Sequence, residues 1–336
     1  MAKGFLSKIT YSSGLWIFGL VLLLLGLLVS LFNQPAVSDA LVTNHLALFP
    51  GWEQAFPWLQ PIVDNPFVEF AYSLLIILIV AFQTQSLTSD FRLIRVRSFF
   101  PFFLVCLLLV AIYPFINPRI TLLACLFMTW SCLRLFSIAE DTDVNKAVFD
   151  ASFLLSLASL IIPRLAWLLP LMWLITGMIQ SFSFRNFFSS LIGFLCTFWI
   201  IAAISFLVED YRFITEWMTD AISFQLIDVM SLSHVAIIFL IYLGLMILIA
   251  VASFVNGLNQ DKLRTRNLMN GMLVIWCAFV GLWVTSGTDH IGYLMLLIPP
   301  TALFMSRYFS LNDNLFSRTM FILLLILSPI VFFYFQ

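Results

Sequence analysis

The chain has 336 residues, 62% of them hydrophobic and only 10% charged, with a formal net charge of −1 and a mean hydropathy of +1.06. That is more apolar surface than one water-soluble core can bury, and no basic block suggests a nucleic-acid partner. The apolar runs are continuous Leu, Ile and Phe rather than alternating, which excludes a β-barrel and predicts an all-α, polytopic transmembrane helical bundle.

In chain order, runs near the length that crosses the hydrocarbon predict eleven spans, at 14–32, 68–86, 99–115, 120–138, 148–162, 165–182, 187–207, 235–257, 268–287, 291–306 and 318–335. The first follows two lysines and has no small-residue cleavage site, so it reads as a retained span. With the N-terminus in the cytoplasm, only Arg119, Arg164 and Arg212 of the 16 Lys and Arg fall outside. Such a split follows the positive-inside rule and supports the span count and orientation; the expected location is the cytoplasmic (inner) membrane. His45, His234 and His290 all fall on the outer side.

Two outer segments are not spans. Residues 33–67 are rich in Trp, Phe and Pro, and residues 208–234 carry Phe213, Ile214, Trp217 and Ile222 at helical spacing; both predict helices lying at the interface. No linker divides the chain, so 1–336 reads as one membrane domain. The cysteines lie inside apolar runs without CxxC spacing and read as packing residues. In "AEDTDVNKAVFD", Asp143 or Asn145 is expected to cap the next helix.

The stretch "DASFLLSLASLIIPRLAWLLPLMW" puts an arginine where lipid is expected. A helix from Asp150 to Arg164 rises about 21 Å, short of the roughly 30 Å of hydrocarbon. Pro163 ends that helix and the next apolar run starts at once, so Arg164 tips a tight hairpin below the outer surface. A charge at that depth needs protein, water or an anion, and a guanidinium fork suits phosphate; snorkelling to headgroups is the plainer reading. Arg119, in "AIYPFINPRITLLACLF", repeats the Pro-Arg hairpin on the same side.

The run "RSFFPFFLVCLLLVAIYPFINPRITLLACLFMTWSCLRLFSI", followed by "KAVFDASFLLSLASLIIPRLAWLLPLMWLITGMIQSFSFRNFFSSLIGFL", resembles the core of the GT-C superfamily of polytopic glycosyltransferases over residues 14–207. Ala147 or Ala151, Leu157, Ala158, Leu160, Arg164, Arg185 and Gly193 occupy comparable places. The same segment is similar to bacterial integral membrane proteins that share "SFxFRNF" before a glycine-bearing helix. The GT-C resemblance implies sugar transfer from a polyprenyl-phosphate donor on the outer face, with a catalytic acid in the first outer segment. Asp39 is in that place. The adjacent acidic pair usual in those enzymes is replaced by isolated Asp39, Glu53, Asp64 and Glu69.

Such a transfer needs a carboxylate to deprotonate the acceptor and a cation on the departing phosphate. Asp39 is the candidate base, Arg164, Arg119 and Arg212 are the lipid-phosphate ligands, and Glu209 with Asp210 forms a secondary acidic element. A divalent cation on Asp39, His45, Asp289 and His290 is an alternative that spacing does not require. Two other classes stand beside the enzyme. A noncatalytic scaffold or accessory subunit of an envelope complex would lack the acidic pair. A lipid or solute transporter would place polar groups at mid-membrane, where Asn270 and the Pro299-Pro300 break are the best examples. The expected partners are membrane lipids, a polyprenyl-phosphate donor and other membrane proteins.

Overall fold

The structure is a computed structural model and describes residues 14–32, 66–94, 98–113, 121–140, 143–179, 183–208, 212–224, 226, 234–257, 261–286 and 290–334. Its regular elements are helices: α1 (Leu15–Phe32), α2 (Pro66–Asp90), α3 (Phe100–Ile112), α4 (Thr121–Ser137), α5 (Val144–Ile161), a 3-10 turn (Pro163–Trp167), α6 (Leu168–Ile179), α7 (Phe184–Val208), α8 (Arg212–Ile222), α9 (His234–Asn256), α10 (Leu263–Val284), α11 (His290–Leu311) and α12 (Leu315–Tyr334). Among the described residues, seven helices are long and apolar enough to cross a membrane: α2, α5, α7, α9, α10, α11 and α12. Four shorter apolar helical stretches, α1, α3, α4 and Pro163–Ile179, lie among them.

Helix α3 sits at the centre. All 13 of its residues are buried, and it packs against α1, α2, α11 and α12. Its Phe100 ring lies 5.8 Å from Phe309 of α11 and 5.4 Å from Phe321 of α12, edge-on and tilted arrangements that suit aromatic quadrupoles. The outer helices carry the lipid-like faces. Phe184, Phe188, Ile192 and Trp199 line one exposed side of α7, and Ile238, Ile241, Leu245 and Leu248 do so on α9. Contiguous apolar faces of that extent are uncommon on water-soluble monomers.

Between apolar helices there is little hydrophobic drive to associate, so small residues and hydroxyls do the joining. Helix α5 lies between α4 and α7. A Cβ on Gly193 would stand 2.6 Å from the Phe149 carbonyl oxygen, so only glycine permits this backbone approach. Three hydroxyls then donate across the same seams, from Ser131 to Ala151 O (2.7 Å), Ser156 to Phe194 O (2.8 Å) and Ser189 to Asn145 O (2.7 Å). Asp143 takes the N-cap position of α5 but makes no side-chain capping bond there, and the Asn145 Oδ1 is buried without a partner among the described residues, so neither residue caps the helix.

The Pro299-Pro300 pair sits inside α11. Pro299 cannot donate to Met295 O, four residues back, and the Cys125 thiol occupies that carbonyl at 3.5 Å. The void beside the two prolines is about 10 Å³, near the size of one water.

Side-chain links between helix ends define two ends of the bundle. Gln85 donates to Ser98 O, Arg264 pairs with Glu140, and Arg307 reaches Asp261 and Leu93 O at one end. At the other, Arg164 joins the 3-10 turn to α8 and to the end of α10.

Candidate functional site

The hairpin expected around Pro163 is present. Helix α5 stops where Ile162 turns extended, at φ −123° and ψ 92°, and Pro163 opens the 3-10 turn with Arg164 next. Arg164 is 7% exposed. Its Nη1 donates to Thr285 O at 2.9 Å, its Nη2 to Ser223 Oγ at 3.3 Å, and its Nε makes a longer contact to Asp220 O at 3.4 Å. The Tyr293 ring lies 5.9 Å from the guanidinium carbon.

The two carbonyls explain how the charge is tolerated. Thr285 caps the C-terminus of α10, and Asp220 lies in the last turn of α8. Carbonyls there have no partner within their helix and carry the negative end of its dipole. Two helix ends therefore supply part of the counter-charge that a buried guanidinium needs.

The same contacts dock α8. Trp167 Nε1 donates to Ala221 O at 2.9 Å, and Trp217 Nε1 of α8 reaches back to Ser159 O at 2.7 Å. The amphipathic helix predicted within 208–234 is present as α8, with Trp217 and Ala221 facing the bundle and Met218 and Ile222 exposed. Phe224 and Leu226, just beyond it, are exposed as well.

The structure does not bring all the expected residues together. Asp39, Arg119, Glu209 and Asp210 lie outside the described residues, as do His45 and Asp289. Arg212 opens α8, eight residues before Asp220, which places its backbone about 12 Å along the helix axis from the end that Arg164 grips. Among the described residues no group of three His, Cys, Asp or Glu is placed to hold a metal.

A second buried arginine lies at the opposite end, and sequence reasoning counted it only as an inner-face charge. Arg307 is 4% exposed, pairs with the buried Asp261 carboxylate, and donates to Leu93 O at 2.8 Å with the Phe254 ring 5.3 Å away. Its position one residue beyond a predicted span was the available signal, because a charge against an apolar run needs a partner. Beside the pair opens a polar cleft of about 780 Å³, whose lining includes Gln85, Asp90, Arg92, Asp261, Lys262 and Arg264.

Residues 61–336 match the model of a family described as "Family of unknown function (DUF6427)". The chain belongs to that family. The matched region contains both buried arginines, α8 and the cleft, whereas Asp39 precedes it. No curated protein and no solved structure matches the chain.

Proposed function

We propose that this member of the family is an eleven-span protein of the cytoplasmic membrane, N-terminus inside, that works as a noncatalytic scaffold or accessory subunit of an envelope complex. Seven long helices and four shorter apolar stretches support a count of eleven, and the lysine and arginine distribution supports the orientation. One observation carries the functional part. Arg164, the residue best placed by sequence to hold a lipid phosphate, directs its guanidinium to Thr285 O, Asp220 O and Ser223 Oγ. It joins α8 to the bundle, and the exposed apolar residues of α8 and its C-terminal extension are what this end offers to a partner or to the outer leaflet.

A second reading keeps the enzyme. It is favoured by the interfacial helix α8, which opens on Arg212 and docks at a Pro-Arg turn, as a lipid-phosphate site at the outer interface requires. In that reading Asp39 is the base, Arg119, Arg164 and Arg212 hold the polyprenyl phosphate, and Glu209 and Asp210 assist. Native mass spectrometry of wild type and Arg164→Ala in mild detergent separates the two. The scaffold reading expects the same bulk phospholipid on both proteins. A polyprenyl-phosphate species on wild type that disappears from the variant overturns it and makes Asp39→Asn the next test.

A further inference from the structure

The cleft at the Arg307 end contains more than a positive-inside charge pattern requires. Its first distinctive feature is Arg92, whose φ of 51° lies in the left-handed region. Leu93 N donates to Thr88 O at 3.2 Å, the bond that closes a Schellman turn after α2, and Arg92 occupies the position in that turn where glycine is strongly preferred. An arginine is thus held at the cleft in a backbone conformation that its Cβ disfavours.

The second feature is the balance of charge. Glu140 is occupied by Arg264, and Asp261 by Arg307. Arg92 and Lys262, both exposed at the rim, have no ion-pair partner among the described residues. Asp90 receives one hydrogen bond, from Ser89 Oγ at 3.1 Å. The third is on the wall: Gln85 donates its Nε2 to Ser98 O at 2.8 Å, while its Oε1 is buried and has no partner among the described residues. A buried acceptor in that state calls for a donor.

We propose that this cleft binds a phosphate ester carrying its own hydrogen-bond donor. The phosphate lies between Arg92 and Lys262, and an amine or hydroxyl of the ligand faces the exposed Asp90 carboxylate, next to the Gln85 wall. Guanidinium and ammonium are the natural partners of phosphate oxygens, and the volume falls within the range of small-molecule sites. The chemistry is met by a phospholipid headgroup or by a water-soluble phosphate ester.

The test uses the full chain in mild detergent. Native mass spectrometry with added phosphatidylethanolamine reads the lipid source, and calorimetry with phosphoethanolamine reads the soluble one. Wild type is compared with Arg92→Gly, Lys262→Gln and Arg266→Gln, the last a basic residue near the cleft that does not line it. Arg92→Gly is expected to weaken binding about tenfold or more while its thermal midpoint stays level or rises, because glycine suits the left-handed turn. Lys262→Gln weakens binding as well, and Arg266→Gln does not. The probe whose binding falls identifies the source. The proposal is overturned if wild type binds neither probe, or if folded Arg92→Gly and Lys262→Gln bind as wild type does.

Discussion

Among the described residues two arginines are buried, and the protein surrounds them differently. Arg307 has a carboxylate, Asp261, and one carbonyl; among the described residues Arg164 has two helix-terminal carbonyls and a hydroxyl, with no carboxylate. The first is a closed ion pair. The second is held by carbonyls at the ends of α8 and α10, where the helix dipoles are negative. The difference fits what each joins. Arg307 locks α11 to the end of α2 and the start of α10 within the bundle, whereas Arg164 ties the amphipathic helix α8 to the turn that ends α5.

The comparison can be broken most severely at the ion pair. Arg307→Ala leaves the Asp261 carboxylate buried and unpaired, which is expected to cost about 3–5 kcal/mol, read by denaturant unfolding in detergent. Arg307→Met combined with Asp261→Leu removes both charges and is expected to regain most of that loss. At the other end, Arg164→Ala strips charged hydrogen bonds from two helix ends and should cost about 2–4 kcal/mol. Arg164→Lys keeps the charge but lacks the fork, so it should retain part of the stability; full retention would show that charge alone, without the geometry, holds α8.

A change belonging to neither end sharpens the contrast. Gly193→Ala drives a methyl into the Phe149 carbonyl and should destabilise the α5–α7 seam by about 1–3 kcal/mol, seen as a lower thermal midpoint without local exposure of α8. The smallest effect is expected from Arg264→Gln. Its pair with Glu140 is roughly half exposed on both sides, and such pairs contribute about 0–1 kcal/mol. A large loss there would show that the cleft rim is structural rather than free to take a ligand.

Much of the helical pattern was legible because apolar run length and Pro163 both act locally. The runs coincide with helices, the hairpin breaks at Ile162, and the amphipathic spacing around Trp217 marks a real helix. What surrounds Arg164 was not legible, because its acceptors lie 56 to 121 residues away and are mainly backbone carbonyls. Any sequence offers a carbonyl at every residue, so side-chain identity gave no sign of them. Arg307 was overlooked for a related reason: its partners Asp261 and Leu93 come from two other turns, and an inner-face charge already had an explanation in orientation. The left-handed Arg92 was hidden too, since a Schellman turn is normally signalled by glycine and none is present there.

The central claim, that Arg164 is an internal clamp for α8, is tested most directly by hydrogen exchange across residues 212–223 in wild type and Arg164→Ala, both in lipid nanodiscs. The account predicts at least about tenfold faster exchange in α8 of the variant, the response of a helix that has lost its anchor. Exchange in α8 equal to that of wild type would contradict it.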